Sequence, residues 1–416
     1  MKTKLFYLFT VAIFIFLLPK ANANHILGGD LTYVNVGPNQ YKFTLTVYRD
    51  CAGNQLDNAY TLNYKSATCK PTASSFVVSK VGAPEEVSIS CPSRPNTCNG
   101  GSEIGIQRQV YTGTVTLPSA CTDWVISWDP GETSKRNENI KNIKDAVLQN
   151  FYLEAKINNA AVNNNNSPTF SGMAFSYLFS NQLGTINSTA TDVDGNELKY
   201  KLITPKTGAN TTVTYNTGFT ANSPVSTSTT ATFNTNTGDL SLTPTKVETS
   251  VTAVVVEEYK NGVLIGSVMR DLQIITLDVK NANPILSGIN NTSSDSIKVC
   301  AGDDANFDIY GSDSDIPTQN LTVTWNNGIT LSPGNGFDGF TTKGTKGKDT
   351  TTFKWKTPSN ANGLYTFTVK LTDDNCPLVG ATTKTYKIRV YPKPLFNLGN
   401  DTTINCTAKK LFYLKI

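Results

Sequence analysis

Residues 41–48 read YKFTLTVY, apolar at each odd position and mostly polar at each even one. A period of two is what a strand with one buried face requires, because successive side chains leave its two sides alternately; a helix has no use for it. The same alternation returns in LYTFTVKL at 364–371 and in TYKIRV at 385–390. Thr, Val, Tyr and Ile fill these runs, and Gly, Asn, Asp and Pro punctuate them. The expected class is all-β, built as tandem β-sandwich domains. Near-helical spacing occurs once, at Ile140, Ile143 and Val147 within 138–150, the one stretch where the pattern admits a single helix without requiring it. Leu153, Ala155 and Ile157 then alternate again.

The first 23 residues carry Lys2 and Lys4, an apolar run over 5–18 and Ala21-Asn22-Ala23 before Asn24. That pattern predicts a secretory signal peptide over 1–23. The apolar run is shorter than the roughly 20 residues a spanning helix needs, and no later run reaches that length, so no membrane-spanning segment is expected. Losing Lys2, Lys4 and Lys20 with the leader leaves 33 basic against 32 acidic residues. A nucleic-acid partner calls for a concentrated basic patch, and none is visible.

Export implies an oxidising compartment, so the eight cysteines are expected to pair rather than to hold metal. No C-x-x-C occurs among them. Cys91 and Cys98, with Pro92, Pro95 and Asn96 between, suit a small disulfide loop. Five cysteines lie early, an odd number, so one early thiol lacks a local mate.

Boundaries follow composition: an asparagine-rich connector at 158–168, NANP at 281–284 and YPKP at 391–394. They predict an N-terminal disulfide-containing β domain over 24–160, a sandwich over 167–281, another over 282–393, and over 394–416 the start of a further unit that is cut short. The stretches DSIKVC, ending at Cys300, and DTTINC, ending at Cys406, support a repeat. Cys300 is expected to pair with Cys376 inside its unit, and Cys406 finds no mate.

The densest acidic feature is ATDVDGNELKY at 190–200, with Asp192, Asp194 and Glu197 close together. As an EF-hand loop it fails, because Glu197 stands at the sixth position, where glycine is required, and Ile203 at the twelfth, where glutamate is. As a catalytic pair it would need a cleft and shifted pKa values. The only histidine, His25, lies next to the predicted mature terminus, a poor anchor for a nucleophile–base centre. The expectation is no enzyme.

The segment Ala190-Thr191-Asp192-Val193-Asp194…Tyr200 resembles the A-T-D-x-D…Y stretch of cadherin-like repeats, and Phe233…Thr237-Gly238-Asp239-Leu240 resembles their following F-x…T-G-x-[IL] strand. The resemblance implies calcium at Asp192 and Asp194; Asp313 and Asp315, in Gly311-Ser312-Asp313-Ser314-Asp315, are its weaker echo. The cadherin linker D-x-N-D-N has only a partial counterpart, Asp278-Val279-Lys280-Asn281-Ala282-Asn283, with lysine and alanine at ligand positions. A turn in which Asp and Asn bond their own backbone remains the alternative.

His25-Ile26-Leu27-Gly28-Gly29-Asp30-Leu31-Thr32-Tyr33, Val47-Tyr48-Arg49-Asp50-Cys51 and Leu371-Thr372-Asp373-Asp374-Asn375-Cys376-Pro377 resemble surface proteins of gliding bacteria. Those carry cadherin-like or polycystic-kidney-disease-like β-repeats and leave by the type IX route, usually with a C-terminal sorting domain that this sequence lacks. The resemblance implies an exported cell-surface protein with an adhesive or structural role and an extracellular protein or glycan ligand. The alternative is the carbohydrate-binding region of a secreted polysaccharide-degrading protein. Trp124, Trp128, Trp325 and Trp355 are expected in core or edge packing, and Asp295-Ser296 and Asp349-Thr350 in ordinary turns rather than as sugar acceptors.

Overall fold

A computed structural model describes residues 26–393 apart from 92, 132–134, 316–317 and 327–336. The predicted leader, His25, Cys406 and the expected unit at 394–416 lie outside the described residues. The chain is all-β: its strands build one large sheet system over 26–277 and a separate two-sheet sandwich over 285–391. Among the described residues no helix is long and apolar enough to cross a membrane.

In the large body eight strands neighbour one another in a closed ring. The order runs Ile26–Gly37, Gln40–Asp50, Ile106–Thr116, Lys70–Glu86, Ala59–Ser66, Trp124–Trp128, Leu153–Ile157 and Val263–Leu277, and returns to Ile26–Gly37 through Gly29 opposite Asp271 and Asp30 opposite Arg270. Closure removes exposed edges. The odd positions of the 41–48 run, Tyr41, Phe43, Leu45 and Val47, fill its interior with Trp124, Trp128 and Leu153.

The expected break at 158–168 does not separate two bodies. Val263–Leu277, assigned from sequence to the second domain, closes the ring of the first and also pairs with Thr249–Lys260 and Phe175–Phe179. The seam is held by two buried ion pairs, Arg270 to Asp30 and Arg136 to Asp271, each 2.6 Å. Removing one partner leaves an uncompensated buried charge, a loss of roughly 3–5 kcal/mol. Gly28 and Gly29 are required here, since a side chain at either would overlap the carbonyl of Ala174 or Thr46. The stretch 138–150 is no helix: it contributes one 3₁₀ turn, Ala146–Leu148, and buries Ile140 and Ile143 against Val213 and Val251.

The strands from Ile285 to Tyr391 form a two-sheet sandwich. One sheet orders Ile285–Leu286, Asp304–Ser312, Lys348–Lys356 and Phe337–Thr345; the other orders Ser296–Cys300, Ala381–Tyr391, Gly363–Thr372 and Thr322–Asn326. Phe307, Phe353, Phe367 and Tyr386 stack between them. Trp355 is core, and Trp325, on an edge strand, lies against Phe340.

The disulfides correct both expected pairings. Cys51 joins Cys98, Cys69 joins Cys121 and Cys91 joins Cys376, while Cys300 is a half-buried free thiol. Cys91 and Cys98 are near in sequence, but the segment at 89–91 runs alongside 377–379, with the Cys91 N–H on Pro377 O at 3.1 Å. The odd early thiol thus finds its mate across 285 residues, in the other body. Cys300 sits beside Tyr391, at the far end of Ala381–Tyr391 from Cys376. Eleven strand residues separate the two ends, a span of roughly 30 Å.

Candidate cation site

The acidic turn lies between Ala190–Thr191 and Glu197–Ile203. Gly195, at φ +72°, supplies the left-handed residue the reversal needs. The Asn196 N–H then donates to Asp192 Oδ1 at 2.8 Å, which fixes that carboxylate inward. Asp192 is buried and Asp194 exposed.

A third carboxylate meets them. Glu258 lies opposite Leu198, where a bulge interrupts the pairing of Thr249–Lys260 with Val263–Leu277, and it is fully buried. One oxygen atom from each of Asp192, Asp194 and Glu258 lies within 4.8 Å of the others. The asparagine-rich connector, read from sequence as a spacer, lines the same place. Asn165 Nδ2 donates to Glu258 Oε2 at 2.6 Å, Asn196 Nδ2 to Glu258 Oε1 at 2.7 Å, and the Asn166 N–H to Asp194 Oδ2 at 2.7 Å. Asp192 Oδ2 is buried and receives no N–H or hydroxyl donor, its polar neighbour being the Glu258 carboxyl.

Burial, reinforced by the neighbouring Asp192 charge, pushes the Glu258 carboxyl up to about 9. Burial also raises Asp192. Two carboxylates this close in a poorly solvated place cannot both ionise unless a cation joins them. The donors are all oxygen, the set a hard cation such as calcium prefers, and the unpartnered Asp192 oxygen is the atom such an ion would satisfy. Acid–base catalysis fits less well, because both Glu258 oxygens already accept amide protons and the carboxyl has no exposed surface.

Asp313 and Asp315 are placed differently. The Asp315 N–H donates to Asp313 Oδ1 at 2.9 Å, and Asp315 Oδ2 accepts the Ala282 N–H at 2.8 Å and Gln319 Nε2 at 3.3 Å. Asn281 Nδ2 donates to Asp373 Oδ2 at 2.9 Å. At this junction side-chain amides and a backbone N–H face the acids. They come from Asn281 and Ala282 of the linker together with Gln319, while Asp313 Oδ2 is buried without a partner.

Sequence reading found Asp192, Asp194 and, at the fifth position of the rejected EF-hand loop, Asn196, but missed Glu258, Asn165 and Asn166. A signal for Glu258 existed: it continues the inward-facing series Val254 and Val256. Asp349, the other suggested acceptor motif, is buried and accepts from Thr351 at 2.7 Å.

No family model matches the chain, and no curated protein matches it. Among solved structures it is similar to a chimeric titin Z1Z2-Z1Z2 tandem, at 14% identity over 54% of this chain and 99% of that one, with a TM-score of 0.19. Zebrafish RET cadherin-like domains 1 to 4 match at 14% identity over 52% of this chain and 47% of that chain, TM-score 0.19. The sialic acid binding region of a Streptococcus sanguinis SK1 adhesin matches at 12% identity, 55% and 78% coverage, and a TM-score of 0.21. Scores this low add nothing to the fold read from the strand pairing.

Proposed function

We propose that this chain is an exported, non-catalytic surface protein with a structural and adhesive role, stiffened by calcium. The observation that carries the reading is the buried Asp192 and Glu258 pair with Asp194 at its mouth, two acids that can both ionise only with a cation between them. The ion would join the 192–196 turn, the 158–168 connector and the Thr249–Lys260 strand, three segments otherwise tied there by hydrogen bonds alone. Three disulfides support a location outside the reducing cytoplasm. The resemblance to surface proteins of gliding bacteria supports a link to gliding motility and type IX export.

Limited proteolysis of the full chain in calcium and in chelator tests the stiffening, with protection of 158–200 expected in calcium only; equal cleavage in both overturns it. Attachment of the purified chain to cells, or to itself, in the same two conditions tests the adhesive part. Attachment to neither, with or without calcium, counts against it.

A further inference from the structure

The outer face of one sandwich sheet is turned toward the large body. On Gly363–Thr372 the side chains of Val369 and Leu371 are buried in the core, so Thr368 and Lys370 face the other way. Register brings Thr324 and Thr383 alongside Lys370, and Thr385 alongside Thr368. Thr385 touches the large body, bonding Thr189 Oγ1 at 2.6 Å and Asn187 Nδ2 at 3.0 Å. Beyond that contact a cleft of about 290 Å³ opens between the bodies, walled on the far side by Ser171, Gly172, Met173 and Ser176. The 89–91 segment closes its end, with Val379 N–H on Ile89 O at 3.4 Å and the disulfide Cys91–Cys376 behind it.

The charge pattern of this cleft is unusual. Lys370 is the one charged side chain among its lining residues, and no carboxylate shares the wall. The ammonium is half-buried, makes no ion pair among the described residues, and its pKa is lowered by burial alone. A cation withdrawn from water without a partner is unfavourable, so the cleft is complementary to an anion. The remaining polar lining is hydroxyl and amide: Ser171, Ser176, Thr324, Thr368, Thr383 and Asn283. One ammonium, with no second cation among the lining residues, balances a single negative charge. The volume is near the lower bound of small-ligand sites, about 300 Å³, which suits a single sugar residue.

We propose that the cleft binds a carboxylate-bearing sugar residue, its carboxylate on Lys370 and its hydroxyls on the threonine face and the opposing serines. This names a ligand class for the adhesive reading but uses no residue of the cation site, so the two fail separately. Both bodies contribute walls, and the Cys91–Cys376 link holds them in register.

The test is calorimetric titration of the full chain with digalacturonate, galactobiose and triglycine, the last offering a carboxylate without sugar. Digalacturonate is expected to bind and to raise Tm, with galactobiose and triglycine at least about tenfold weaker. Lys370→Met is expected to bring digalacturonate down to the galactobiose level and to leave Tm equal or higher, since it removes a half-buried charge that makes no ion pair among the described residues; Lys370→Arg keeps binding. Asp192→Asn is expected to leave sugar binding intact. No digalacturonate binding by the wild type, equal binding by Lys370→Met, or triglycine binding as tightly as digalacturonate overturns the proposal.

Discussion

The turn at 192–194 and the turn at 313–315 share the same letters, Asp-x-Asp, and in each the first aspartate keeps a buried oxygen without a donor, but the partners gathered around them differ. At the first, a third acid arrives from a distant strand, and a buried oxygen of Asp192 has no donor. At the second, Ala282 and Gln319 bring N–H groups to Asp315, and Asn281 brings an amide to Asp373. The local motif sets the turn, whereas its partners differ: a third carboxylate at the first, and backbone and side-chain amides on Asp315 and Asp373 at the second.

The largest expected effect comes from Glu258→Ala. It strips the Asn165 and Asn196 amides of their shared acceptor and leaves a buried hole, for a loss of roughly 2–4 kcal/mol in chemical denaturation. It should also abolish any calcium response. A mutant that still gains stability in calcium would break the comparison at its stronger side.

Asp192→Asn is expected to fold and to lose only the calcium-dependent stabilisation, about 2.7 kcal/mol with the ion at a hundredfold over its dissociation constant. Asp313→Asn should leave the calcium shift of Tm unchanged. If the two substitutions have the same effect, the distinction between the turns is wrong.

Asp239 sharpens the picture as a half-buried acid met by an amide and a lysine rather than by other carboxylates. It stands beside Asn187 and Lys387 at the joint between the bodies, and burial raises it from 3.8 to about 6. A raised carboxyl pKa favours the neutral form in the fold, so its contribution is full below pH 4 and is lost as pH climbs through 6. Denaturation midpoints of Asp239→Asn should therefore fall less between pH 4 and 7 than those of the wild type; parallel curves would refute the assignment.

The smallest effect is expected at the second turn. Asn281→Ala should lose about 1 kcal/mol, equally in calcium and in chelator. A loss that calcium repairs would mean an ion belongs there too.

Much of this architecture is legible in the alternating runs, because period two survives wherever one face of a strand is buried. The all-β class is recovered for that reason. The fusion of the first two expected domains is not legible: the pairing of Asp30 with Arg270 joins residues 240 apart, and nothing local to either announces it. The disulfides escape for the same cause, since short spacing favours Cys91 with Cys98 while the fold carries Cys91 to the other body. Of the cation site, the turn is readable through its Asp and Gly pattern. Glu258 hides inside a valine-rich strand, and the asparagines inside what reads as a spacer.

Calcium titration by calorimetry, run side by side on the wild type, Asp192→Asn and Asp313→Asn, meets the central claim most directly. The expected result is one site with a dissociation constant of about 0.1–1 mM in the wild type and in Asp313→Asn, and none in Asp192→Asn. Binding that survives in Asp192→Asn, or is absent from the wild type, would contradict it.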